Sequence, residues 1–288
     1  MNPLVYHVVS GQAFFSGLAI LLLAVYFAAR SPFGNRISFL SIVVGVIAIA
    51  VSGTPLSSWW YVVLGVAIVN WLISLRLQSG KLWAQGVLVT AILVSLAVEL
   101  PYHFVPSVHR LGPQSSLTIL GDSVTAGMGA NDASVRWPTR LLQDRQIIVN
   151  DLSEPGATVG SALQHSQLSQ IPPGIVLFEL GGNDILGSTT PEKFAVTLEE
   201  LLVATSREDC QLVMFELPLP PFYNRFGQIQ RRLARKYDVQ LVPKRVFLSI
   251  LGDQNATIDS IHLTPAGHQR MADTVWNLVG PTAASTPK

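Results

Sequence analysis

Only five charged side chains, Arg30, Arg36, Arg76, Lys81 and Glu99, occur in the first 101 residues, and nothing else in the sequence limits folding so strongly. Four apolar stretches fill this region, approximately residues 7–29, 37–51, 59–75 and 82–102. A helix that crosses a bilayer needs about 20 predominantly apolar residues. The first, third and fourth stretches approach that length. The second is short and would have to tilt or lean on its neighbours. The sequence therefore predicts an all-α transmembrane region of about four helices over residues 1–105, preceding a second domain over 106–288. No small-residue cleavage site follows the first stretch, so it reads as a retained helix and not a signal peptide.

The loops set an orientation. Arg30 and Arg36 lie between the first two stretches, and Arg76 and Lys81 between the last two. The intervening loop, residues 53–58, carries no charge, and neither does the segment before His7. Positive residues stay on the cytoplasmic side. Both termini and the large domain are thus expected on the extracytoplasmic face of a cell membrane of bacterial type. Trp59, Trp60 and Tyr61 sit where an interfacial aromatic belt would be. Glu99, near a helix end, is expected at the interface.

The remaining residues read as an ordinary globular domain. Net charge is +1, so no basic field points to nucleic acid. Cys210 is the only cysteine, which rules out an intramolecular disulfide and leaves a small core residue. Short apolar runs at 117–120, 147–150, 175–180, 212–215 and 239–242 read as strands. Helical spacing appears at 137–142, 161–168, 191–205, 229–237 and 264–279, with Pro191 and Pro265 at first turns. The tail over 281–288 is small and polar and is expected to fray. This alternation predicts an α/β fold, a doubly wound parallel sheet with helices on both faces.

In such sheets, sites collect beyond the carboxyl ends of the strands. Three glycine turns fall there: Gly121-Asp122-Ser123, Pro155-Gly156, and Gly181-Gly182-Asn183-Asp184. A fourth polar cluster, Asp259-Ser260-Ile261-His262, precedes the last helix. A serine hydroxyl is a weak nucleophile until a base takes its proton, and the base is usually a histidine oriented by a carboxylate. Asp259 and His262 are close enough in sequence for the carboxylate to reach the imidazole from one turn. Attack on an ester also creates an oxyanion that needs preorganised donors. Gly156 and Asn183 stand on turns able to supply them.

These motifs, in this order and over 117–279, resemble the SGNH hydrolases, also called the GDSL esterase/lipase family. The string Phe178-Glu179-Leu180-Gly181-Gly182-Asn183-Asp184 is similar to the branch containing thioesterase I, lysophospholipase and arylesterase, and Trp137-Pro138 and Lys236-Tyr237-Asp238-Val239 fit it too. The resemblance implies a flavodoxin-like three-layer fold, with Ser123 as nucleophile, His262 as general base and then acid, and Asp259 orienting it. It implies an oxyanion hole made by the Ser123 and Gly156 N–H groups and the Asn183 amide, and no metal or organic cofactor. Ser260 departs from the family, standing where glycine is common. The apolar N-terminal region departs further, since members of that branch are typically soluble and secreted.

Other polar residues have structural readings. Asp122 and Asp184 are expected to hold their turns, His165 to lie exposed on a helix, and His268 to be structural. Arg231, Arg232, Arg235 and Lys236 are expected to form a solvated cationic face, or one that meets anionic lipid headgroups. Pocket walls are expected from residues 187–190 and 218–224. The whole predicts a membrane-embedded serine esterase acting on lipid, lysophospholipid or small acyl esters. The same acyl-enzyme chemistry on cell-surface glycan, as an O-acetyl esterase or acyltransferase, is the alternative. An inactive, membrane-tethered binding module is the reading from another class, opposed by the complete set of site residues. A transporter is opposed by the lack of paired charges or broken-helix signals in the apolar stretches.

Overall fold

A computed structural model of the chain describes residues 1–28, 30, 34–112, 114–127 and 135–281, without the side chains of Gly34 and Asn35. The expected frayed tail beyond Pro281, and Ala29 at the end of the first apolar stretch, lie outside the described residues. The chain divides into two compact units. One comprises Met1–Asn2, Val105–Leu217 and Ile229–Lys288, the other Pro3–Phe104 and Pro218–Gln228.

The second unit is helical. It contains α1 (Pro3–Val9), α2 (Gln12–Ala28), α3 (Gly34–Val51), α4 (Ser58–Leu77) and α5 (Lys81–Glu99), which continues into a 3-10 turn, Leu100–His103. Phe14, Leu18 and Leu21 of α2, Trp71 of α4, and Leu88 and Ile92 of α5 form its buried centre. Outward faces are apolar as well, with Leu40, Val62, Val66, Leu82 and Leu93 all exposed. Helices apolar all round belong in a protein core or a bilayer.

The sequence expectation of about four spans meets three differences here. Among the described residues, Ser58–Leu77 and Lys81–His103 are helices long and apolar enough to cross a membrane, the bent pair Pro3–Val9 and Gln12–Ala28 adds a third if it counts as one span, and Arg36–Val51 falls short. The first stretch is not one helix. It bends by 87° between Pro3–Val9 and Gln12–Ala28, where Gly11 adopts a φ of +84° and the Ser10 hydroxyl donates to His7 O at 3.3 Å. Glu99 ends α5 as expected, yet it is wholly buried, with the His103 imidazole 3.6 Å from its carboxylate. The Pro218–Gln228 segment belongs to this unit through contacts such as Asn224 Nδ2 donating to Ser52 O at 3.3 Å.

The other unit is an α/β domain. Its sheet is entirely parallel, in the order β2-β1-β3-β4-β5. The strands are β1 (Ser116–Gly121), β2 (Ile148–Asp151), β3 (Gly174–Glu179), β4 (Cys210–Phe215) and β5 (Gln240–Val242). Every residue of β1 is buried, as a central strand covered on both faces requires. Leu117 and Ile119 of β1 and Ile175 and Leu177 of β3 pack with Trp137 and Leu141 of α7 (Trp137–Asp144) and with Met271 and Val275 of α13 (Pro265–Val279). The alternate residues Val176 and Phe178 point to the opposite face. Buried Phe194, Leu198 and Leu201 line α10 (Pro191–Thr205), whose amphipathic spacing the sequence displayed.

The helix expected over 161–168 is instead α8 (Val159–Leu163), started by a capping box between Thr158 and Ser161, followed by a separate 3-10 turn, Leu168–Gln170. His165 therefore lies beyond the helix, half-buried and 3.6 Å from Glu154. A helix the sequence did not reveal, α12 (Lys244–Leu251), follows β5. The cationic face expected on α11 (Asn224–Lys236) is partly consumed. Arg231 turns inward to pair with buried Glu216 at 2.7 Å, and Lys236 pairs with Glu199.

His268 on α13 is fully buried, and neither ring nitrogen has a hydrogen-bond partner among the described residues. Burial, and then the positive charges of Arg140 and Arg136, push its imidazole down from its ordinary 6.5 to about 4. Between those values the unfolded chain binds the extra proton, so stability is present above pH 6.5 and drains away as pH falls through 4. The full loss is on the order of 3 kcal/mol. Thermal unfolding followed over this range should show a falling Tm, and His268→Leu should flatten the curve.

Candidate active site

The strand order reverses about β1, whose two neighbours are β2 and β3, and the crevice at such a switch point is the usual ligand site. Ser123 follows β1 directly. It opens α6 (Ser123–Ala126), a helix of four residues capped by Asp122, whose Oδ1 accepts Val124 N at 2.9 Å. A Cβ on Gly121 would stand 2.5 Å from Thr125 Oγ1, so only glycine lets the helix fold back this tightly on its strand.

Asp259 and His262 arrive on the segment between α12 and α13. The Asp259 carboxylate organises the turn three times over. Its Oδ1 accepts Ile261 N at 3.0 Å and His262 N at 2.8 Å, and its Oδ2 faces His262 Nδ1 at 2.6 Å. These bonds, the backbone bond from His262 first, hold Asp259 down at about 2, well below its ordinary value. With Nδ1–H given to Asp259, His262 Nε2 is left to accept, and it lies 3.2 Å from Ser123 Oγ. The structure thus joins all three residues in one hydrogen-bonded chain, although Ser123 and His262 are 139 positions apart.

Asn183 sits in α9 (Gly182–Leu186), beyond β3. Its Nδ2 donates to Asp122 Oδ2 at 3.2 Å and to Ala157 O at 3.0 Å. It therefore ties the Ser123 turn to the turn after β2, and both amide hydrogens are engaged. The adjacent Asp184 reaches the same turn, accepting Val159 N at 2.9 Å, so its structural reading holds in this geometry. Gly156 lies exposed beside Ala157 with a φ of +77°, a left-handed conformation that costs glycine nothing. Among the described residues no acceptor takes the Ser123 or Gly156 N–H.

One residue without an assigned role stands out. Glu179, the last residue of β3, is buried beside Gly121. Its Oε2 accepts Thr125 Oγ1 at 2.8 Å and Asp122 N at 3.4 Å. Burial first, and then the neighbouring Asp122 charge, pushes its carboxyl well above the usual range. Burial raises Asp122 too, against the bond from Val124 and the attraction of His262. The signal in the sequence was an acid closing an otherwise apolar strand. Among the described residues no group of three or more His, Cys, Asp or Glu side chains is placed to hold a metal ion.

At this switch point the Ser123 turn lies within hydrogen-bond distance of the Asp259–His262 pair and is tied to the Asn183 amide through Asp122. The chain belongs to the GDSL-like Lipase/Acylhydrolase family, whose model matches residues 119–270, and it is an ester hydrolase of that family. It is 33% identical over 174 residues to the thioesterase 1/protease 1/lysophospholipase L1 of Escherichia coli, an alignment covering 57% of this chain and 83% of that protein. It is 27% identical over 181 residues to esterase TesA of Pseudomonas aeruginosa, covering 58% and 88%. The fold is shared with esterase EstA from Pseudoalteromonas sp., at a TM-score of 0.51 and 24% identity over 57% of this chain and 96% of that one.

Ser260, where glycine is common in the family, adopts a φ of +74°. A left-handed side-chain-bearing residue costs roughly 1–2 kcal/mol, and β-branching worsens it. Ser260→Gly is expected to hold or slightly raise the Tm with hydrolysis retained. Ser260→Val should lower stability by about 1–2 kcal/mol in denaturant titrations.

Proposed function

We propose that this protein is a membrane-anchored serine hydrolase that cleaves carboxylic acyl esters outside the cytoplasm. The observation that carries the chemistry is the chain Ser123 Oγ–His262 Nε2–His262 Nδ1–Asp259 Oδ2, at 3.2 and 2.6 Å. Ser123 Oγ attacks the ester carbonyl carbon while its proton passes to His262 Nε2. Asp259 keeps the imidazole in the right tautomer and balances the imidazolium that forms. The oxyanion takes the N–H groups of Ser123 and Gly156. The Asn183 amide joins them by releasing Ala157 O and keeping Asp122. Collapse of the intermediate breaks the bond to the alcohol oxygen, which leaves with the proton from His262. Water, deprotonated by the same imidazole, then frees the acid and restores Ser123.

Two helices of spanning length and apolarity support the anchor. Arg76 and Lys81 bracket the turn joining them, which favours that turn on the cytoplasmic side and the catalytic unit on the opposite face. An anchor holds the serine near lipid, so lipid and lysophospholipid esters are the favoured substrates. A relative named for both thioesterase and lysophospholipase activity agrees with that choice.

Ser123→Ala should lower hydrolysis of p-nitrophenyl esters and lysophospholipid by on the order of 10³-fold or more and abolish labelling by a fluorophosphonate. Undiminished activity in that variant overturns the assignment. Asn183→Ala should cost about 10²–10³ in kcat, the usual loss of one oxyanion donor. The protein should stay with the membrane pellet after alkaline carbonate washing, and release into the supernatant would refute the anchor.

A further inference from the structure

We infer that Glu179 is a positioning residue for this reaction: a buried carboxyl that holds the nucleophile turn through Asp122 N–H and Thr125 Oγ1 and, through Asp122, the Asn183 amide. The inference rests on the function proposed above and adds to it a group that touches neither substrate nor Ser123.

Glu179 ends the central strand β3 and is 5% exposed. In register it pairs with Gly121, the residue from which the nucleophile turn departs. Its Oε2 receives two donors from that turn, Thr125 Oγ1 at 2.8 Å and Asp122 N at 3.4 Å. Thr125 can reach it only because Gly121 lacks a side chain, since a Cβ there would meet the Thr125 hydroxyl. The glycine of the motif and the acid of the neighbouring strand therefore serve one arrangement.

Charge explains why the acid is neutral. Among the described residues no cation is one of the groups acting on Glu179, and its charged neighbour is another carboxyl, Asp122. Two facing carboxyls in a buried site hold one proton between them. Asp122 has the stronger claim to the negative charge. It accepts Val124 N at 2.9 Å and Asn183 Nδ2 at 3.2 Å, and His262 attracts its charge. The proton thus belongs to Glu179, which can direct it at Asp122. An ionised Asp122 keeps its grip on Asn183, so the amide remains aimed when Ala157 O is released to the oxyanion.

A glutamine would imitate this state, with an oxygen for the two donors and an N–H for Asp122. An alanine would leave Asp122 N–H and the Thr125 hydroxyl without their acceptor. The test uses the full chain in detergent, with p-nitrophenyl butyrate as substrate. Rates are expressed per site titrated by a fluorophosphonate, which counts only competent enzyme. E179Q should keep kcat within about threefold of wild type. E179A should lose roughly 10- to 100-fold in kcat with KM within about threefold, as expected for misaimed transition-state donors.

The inference is overturned if E179Q falls as far as E179A, if E179A keeps its kcat, or if the loss appears in KM. Should E179A fail to accumulate, E179Q decides alone, and a kcat below a tenth of wild type overturns the claim. A wild-type protein that cleaves no ester defeats the proposed function itself. An active wild type with unexpected Glu179 variants defeats only this inference.

Discussion

Gly121 and Glu179 stand side by side at the carboxyl ends of neighbouring parallel strands, and the candidate site is built outward from that pairing. Chain order reverses at β1, so the connections after β1 and β3 leave the sheet in opposite directions, and the turns that begin them lie side by side at its carboxyl end. From Gly121 the chain folds at once into α6 with Ser123 at its head. From β3 it folds into α9 with Asn183 one residue inside. Asp122 bridges the two turns, and Asn183 carries the connection on to Ala157 after β2. Three turns that share no sequence neighbourhood are thereby linked by hydrogen bonds, and the parallel register sets their spacing.

The Asp259–His262 pair follows a different logic. Its geometry is local, because one carboxylate accepts two backbone N–H groups of its own turn and orients the imidazole three residues on. The Asp259 side chain is 53% exposed, so its charge is screened and its attraction for His262 is moderate. Hydrogen bonding, more than charge, is what this carboxylate contributes to the orientation. A self-contained unit of this kind has only to be delivered to Ser123 as a whole. Delivery falls to α12 and α13, whose apolar faces bury Phe247, Leu248, Met271 and Val275.

Much of this was legible in the residues. The central strands announced themselves as short unbroken apolar runs because both faces of a parallel sheet are covered. Helices α10 and α13 were legible through Pro at the first turn and regular apolar spacing. Less visible were features set by partners distant in the chain. Arg231 reads as part of a cationic face until Glu216 turns it inward. The break between α1 and α2 lies inside an apolar stretch that composition alone would run into one helix. The Pro218–Gln228 segment reads as a loop of the α/β domain, yet its contacts group it with the helices. Glu179 stands in a motif that gives it no role, because burial beside Asp122 cannot be seen along the chain.

The sequence by itself determined the α/β fold class and the family, and it singled out an apolar N-terminal region and Ser123, Gly156, Asn183, Asp259 and His262 as candidate site residues. Those follow from composition, periodicity and short motifs, which are properties of residues near one another in the chain. Tertiary structure decided how the motifs are wired. It engaged both hydrogens of Asn183, set Glu179 against Asp122, and brought Ser123 Oγ within 3.2 Å of His262 Nε2. Each of those contacts joins segments more than 20 residues apart. Strand order and register fix such distances, and neither is written in any one stretch of sequence.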